Sequence, residues 1–145
     1  MSGHAFIFSP GNWLGEGKVT FSTSKDHIRF YTKWMVEPEM DGLIICNQQV
    51  EMQGTEDILS NRYSFSNITK DSCLITINND LVVSISGRCV IEPKTIAWEF
   101  RGHETMEGYE VYQLQDNGDY MFHAEYSSHD QFRTIIDGRI WQKKP

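Results

Sequence analysis

Apolar and polar residues alternate in short runs along most of this chain, and turn-forming residues separate the runs. From Gly17 to Ser22, Val19 and Phe21 alternate with Lys18 and Thr20, the period of a half-buried strand. In Ile28 to Val36, Ile28, Phe30, Thr32, Trp34 and Val36 share one face, and Pro38 ends the run because proline cannot donate to a ladder. A third strand is expected from Gly42 to Gln53; Asn47, Gln48, Gln49, Glu51 and Gln53 make its second half polar, so that half is either solvated or lines a wet cavity. Thr55 to Leu59 has a capping residue followed by two acids and predicts a single helical turn. Further strands are expected over Arg62 to Asn67, Leu74 to Asn78 and Leu81 to Ile91, the last two joined at Asn78-Asn79-Asp80. Beyond the Glu92-Pro93-Lys94 turn, Ile96, Trp98 and Phe100 alternate with Ala97, Glu99 and Arg101. Tyr109 to Gln115 and Tyr120 to Tyr126 flank Asp116-Asn117-Gly118-Asp119, a hairpin signal because Asn-Gly tolerates positive φ. Phe132 to Gln142 reads as the last strand, bent or bulged at Gly138.

Composition agrees with strands. Ile and Val number 21 against 9 for Ala and Leu, the strongest apolar helix formers. The 145 residues, without linker or repeat, suit a single domain (residues 1–145) able to bury its own core. About eight to ten short-linked strands predict an all-β domain, a single antiparallel up-and-down barrel, because closure removes the exposed edges of a long meander.

Charge and cysteines narrow the partners. A net charge of −7 argues against nucleic acid or an anionic membrane, whose binding needs positive faces. No run is long and apolar enough for a membrane span, and Met1-Ser2-Gly3-His4 lacks the basic start of a signal peptide, so the expected location is cytoplasmic. Cys46, Cys73 and Cys89 are odd in number and widely spaced, which reads as three buried thiols in a reducing compartment.

A barrel of about eight or more strands can admit one small ligand besides its own side chains. The 18 aromatic residues, many of them on strands, would either pack such a core or wall a cavity. The expected lining is Trp34, Tyr63, Trp98, Phe100, Tyr112 and Phe122, with Arg133 orienting the ligand. A simple hairpin register would put Tyr112 and Phe122 on opposite faces, so only one of them would line the cavity.

Gly11-Asn12-Trp13-Leu14-Gly15-Glu16-Gly17, before the first expected strand, resembles the Gly-x-Trp signature of the lipocalins and their calycin relatives. The resemblance implies a lipocalin/calycin-like barrel in which Trp13 closes one end and packs against Arg139, a guanidinium over an indole. The end Gly138-Arg139-Ile140-Trp141-Gln142-Lys143 is similar to that of the fatty-acid-binding proteins, whose final Arg-x-Tyr holds a carboxylate. Here Trp141 replaces the tyrosine, and Thr23 to His27 is too short for that family's helical lid. Gly11, Trp13, Gly15 and Gly17 also resemble the start of nitrobindin, without the tyrosine and proline that follow there; that resemblance implies haem held by His123 or His129, and no second feature selects either.

The function expected is binding of a small hydrophobic or amphipathic molecule, with or without an anionic head group that Arg101, Arg133 and Arg139 would attract. No catalytic residue, metal or cofactor is expected, and the sequence names no protein partner. His4, His27, His103, His123 and His129 lack zinc-like spacing, and no Gly-x-Ser-x-Gly elbow or phosphate loop occurs. The alternatives are a barrel enzyme using His123 and Glu125 for proton transfer, with Tyr112 near them, or a filled barrel that recognises another protein on its outer face.

Overall fold

Alternation makes each run two-faced, and ten such strands can bury their apolar faces together only by curling round a common axis. A computed structural model of the chain describes residues 3–79, 84–102, 106–127 and 133–144. The strands are β1 (Gly11–Phe21), β2 (His27–Val36), β3 (Ile44–Met52), β4 (Ile58–Ser66), β5 (Ser72–Asn78), β6 (Ile85–Ile91), β7 (Thr95–Phe100), β8 (Glu107–Leu114), β9 (Tyr120–Ser127) and β10 (Arg133–Gln142). Each pairs antiparallel with the next, and β1 also pairs with β10, so the sheet closes as an up-and-down barrel.

β1 begins six residues before the expected Gly17, because the alternation already runs through Trp13 and Gly15, which point inward ahead of Gly17 and Val19. The expected bulge at Gly138 is absent: Glu16↔Arg139, Gly17↔Gly138 and Lys18↔Asp137 pair without interruption. The two glycines serve close approach instead, since a Cβ on Gly17 would clash with the Asp137 carbonyl and with Phe30. The helical turn expected at Thr55 to Leu59 does not form. Ile58 and Leu59 open β4 by pairing with Glu51 and Val50. The Asp116–Asp119 turn is as expected, with Gly118 at φ 92°. Asp80 and Leu81, His103, and His129 to Phe132 lie outside the described residues.

The reading of three free thiols is corrected. Cys73 and Cys89 sit opposite each other on β5 and β6 and form a disulfide, which leaves Cys46 as the buried free thiol.

One end of the barrel is plugged by the segment before β1, which the strand pattern did not reveal. Phe6 and Ile7 are fully buried there, and Phe6 makes ring contacts with Trp13, Trp34, Tyr112 and Tyr120 at centroid distances of 5.1–5.6 Å. Ile7 adopts φ 62°, a costly conformation for a β-branched residue, which the surrounding packing holds. His4 Nε2–H donates to the Glu92 carbonyl at 2.6 Å, leaving Nδ1 to accept from the Tyr120 hydroxyl, also at 2.6 Å.

Candidate functional site

The barrel interior divides along its axis. Toward the plug, Trp34 contacts Tyr63 at 5.1 Å, Trp98 contacts Tyr112 at 5.0 Å, and the four rings form one cluster with Phe6 and Phe65. Toward the opposite end the inward-pointing Val50, Met52, Asn61, Phe122, Tyr126 and Ile136 are only half-buried, and Leu59 is 36% exposed. That end is partly accessible to solvent at these positions, although Val19, Phe30, Ile77, Ile85 and Phe100 stay buried there, whereas the plugged end is sealed.

Between the two lies a residue that sequence reasoning missed. Glu110 points inward from β8 and is 7% exposed. Tyr112 Oη donates to its Oε1 at 2.6 Å, and Tyr126 Oη donates to Oε2. Burial pushes the Glu110 carboxyl above its ordinary pKa, while the two tyrosines and the nearby Trp98 indole pull it partly back. The same burial, with Glu110 alongside, raises the phenols of Tyr63, Tyr112 and Tyr126 well above their usual value. Trp98 is Glu110's partner across the β7–β8 ladder, yet its buried Nε1 makes no hydrogen bond. A desolvated donor left in this state costs on the order of 1–3 kcal/mol. Parity carried the missed signal: two residues before inward Tyr112, a strand places the same face inward.

A second polar feature lines the opposite wall. Asn79 Nδ2 donates to Asn61 Oδ1 (2.9 Å), Asn61 Nδ2 to Gln48 Oε1 (2.9 Å), Gln48 Nε2 to Thr32 Oγ1 (3.1 Å), and Thr32 Oγ1 to the Gln49 carbonyl (3.0 Å). Of the polar run expected in β3, Gln48 alone joins this interior ladder; Asn47, Gln49 and Glu51 are on the outer face.

Trp34, Tyr63, Trp98, Phe100 and Tyr112 are buried inside the barrel, and half-buried Phe122 also points inward. Tyr112 and Phe122 are direct register partners with stacked rings 5.1 Å apart, so the expected opposition of faces is corrected. The connection from Leu114 to Tyr120 holds five residues, one more than the four-residue turn signal, and the extra residue keeps the two rings on one face.

Arg133 is corrected as well. It lies on the outer face of β10, 59% exposed, and pairs with Glu125, so it cannot orient a ligand inside. Arg139 shares that outer face and does not meet Trp13: its guanidinium lies 4.8 Å from the Trp141 ring centroid, near Glu16 and Asp119. Trp13 and Arg139 have opposite parity across the β1–β10 ladder, so Trp13 packs on Phe6 and Tyr120 instead. Arg101 is outside too, paired with Glu99 at 3.0 Å.

His123 and Glu125 do meet, on the outer face, but Tyr112 is not with them; Tyr109 takes that place and donates to Glu125 Oε2 at 2.6 Å. His123 Nε2 lies 3.0 Å from Glu125 Oε2 and Nδ1 lies 2.6 Å from Asp137 Oδ1. Asp137 first, then Glu125, raises the imidazole pKa, and His123 with Tyr109 lowers that of Glu125 to about 2. An imidazolium held between two carboxylates forms an ion-pair network and has no free nitrogen to act as a base. Facing outward, His123 also does not fit as a ligand to haem inside the barrel. Among the described residues no group of His, Cys, Asp and Glu suits a metal ion.

No family model matches the sequence, and no curated relative matches it. Solved structures do share its fold. The S-type phycobiliprotein lyase CPES from Guillardia theta superposes with a TM-score of 0.74 at 10% identity, over 100% of this chain and 94% of that one. Rv2717c from M. tuberculosis gives 0.73 at 9% identity, over 93% of this chain and 92% of that one. The class is therefore the closed, ten-stranded calycin-like barrel. Identities this low establish the fold alone.

Proposed function

We propose that this chain binds a small, largely apolar molecule in the accessible half of its barrel. One observation carries the reading: apolar side chains that alternation aims at the interior, among them Val50, Met52, Leu59, Phe122 and Ile136, are left partly exposed there. Inward apolar surface that the chain does not cover itself gains free energy when a ligand covers it, about 25 cal/mol per Å² of area buried. The central ring cluster would form the floor beneath such a molecule. A phycobiliprotein lyase built on the same barrel supports the idea that the architecture can serve small-molecule chemistry.

Phenylnaphthylamine, a neutral dye that brightens in apolar surroundings, tests the reading through two adjacent residues on β9. Saturable brightening is expected, weakened severalfold by Phe122→Ala, which removes an inward ring, and unchanged by Met121→Ala on the outer face. Absence of saturation, or equal loss in both variants, would overturn the proposal.

A further inference from the structure

Glu110 and Trp98 are partners across the β7–β8 ladder, so a carboxyl and an indole N–H project from neighbouring strands to the same inner side. The Tyr112 and Tyr126 hydroxyls each occupy one acceptor position of the carboxyl. A carboxylate offers about four such positions, so acceptor capacity remains. Trp98 is 1% exposed and its Nε1 meets no acceptor in good hydrogen-bond geometry, although it lies near enough to Glu110 and Tyr126 to favour their charged forms. Both groups lie deep in the barrel, beneath fully buried Phe100 on β7, while half-buried Tyr126 on β9 links Glu110 toward the accessible end, where β8 and β9 have their Glu107 and Ser127 ends.

The distribution of cations sharpens the chemistry. All 13 lysines and arginines of the chain are exposed, and Arg101, Arg133 and Arg139 are tied to carboxylates on the outer face. Around Glu110 the interior thus presents an acid, the phenols of Tyr112 and Tyr126, an indole and, opposite, an amide ladder, and no lysine or arginine is buried to meet an anionic head group. An acceptor beside a donor complements a group that carries N–H and C=O on one edge.

Resting on the cavity reading above, we infer that the barrel selects a neutral ligand whose polar end is an amide or lactam edge, with its N–H given to Glu110 and its C=O accepting from Trp98. The matching carboxylate is rejected, because it has no N–H to give Glu110 and would leave water for an interior where no lysine or arginine meets it. This excludes the fatty-acid type of ligand that the end of the chain resembles, and it makes Glu110 and Trp98 the specificity-determining pair.

Naphthamide, naphthoate and naphthalene share one ring system and differ only in the polar group. Each is titrated into the full chain while the indole N–H resonances are followed, with that of Trp98 assigned through Trp98→Phe. Naphthamide is expected to bind about tenfold or more tightly than either of the others and to move the Trp98 resonance in the hydrogen-bonded direction. In Trp98→Phe its advantage over naphthalene should largely vanish; in Glu110→Gln naphthoate should gain affinity and narrow the gap. Should Trp98→Phe fail to fold, Glu110→Gln and the wild-type resonance shift still decide the matter. Naphthoate binding as tightly as naphthamide, or naphthamide no tighter than naphthalene, in a protein that still takes up phenylnaphthylamine, would overturn the amide-edge assignment alone. Failure of phenylnaphthylamine as well would remove the cavity reading and this inference with it.

Discussion

At the plugged end, Phe6, Trp13, Trp34, Tyr112 and Tyr120 are no more than 2% exposed; at the other end, Met52, Tyr126 and Ile136 occupy inward positions and remain half-buried. Both halves obey the same alternation, so the strand pattern does not explain the difference. What separates them is the segment ahead of β1, which inserts Phe6 and Ile7 and is pinned by His4 to Tyr120 and Glu92. Closure of the sheet creates an interior, and coverage by a further segment determines which part of it becomes solid core. The polar groups sit at the boundary, with Glu110 between the two halves and the Thr32–Gln48–Asn61–Asn79 ladder on the opposite wall.

The largest expected effect tests the plug. Phe6→Ala should lower unfolding free energy by about 3–5 kcal/mol, as removal of a fully buried aromatic ring does, whereas Met52→Ala should cost less than about 1.5 kcal/mol. Equal losses in denaturant titrations would erase the distinction between the ends. Next comes the disulfide, whose cysteines are separated by 16 residues. Replacing both by serine should cost about 3 kcal/mol, and the unfolded, unreduced chain should titrate one thiol, that of Cys46. Finding three thiols would restore the reading from sequence.

Glu110 gives a smaller effect with a definite sign. Its pKa is raised in the fold, so the unfolded chain loses this proton first, and stability should fall as pH rises from the ordinary carboxylate value of 4.5 through the higher folded value. Glu110→Gln should flatten that slope in pH-dependent thermal unfolding; an unchanged slope would refute burial of the charge. The smallest effect belongs to the outer face. His123 has a raised pKa, so its contribution is full below about 6.5 and disappears as pH rises through the folded value. Because the cluster is partly solvated, His123→Ala should cost less than about 1 kcal/mol. A larger loss would mean that this surface contributes more to the fold than its exposure suggests.

Much of the barrel interior was legible by parity. Trp34, Tyr63, Trp98 and Phe100 lie on runs whose period of two is clean, and each points inward. Parity failed where a connection had to be counted, as between Tyr112 and Phe122, and where partners were assigned by resemblance, as with Trp13 and Arg139. Glu110 escaped notice because a lone acid in a strand ordinarily faces water, and the hydroxyls of Tyr112 and Tyr126 that make its burial tolerable come from tertiary contact.

From its amino acids alone this chain determines a meander of two-faced strands, since side-chain alternation and turn chemistry are local properties. Tertiary structure decided which inward positions are sealed, which cysteines join and which polar atoms are left unpartnered. Those outcomes depend on contacts between residues as far apart as His4 and Tyr120, which no local pattern encodes.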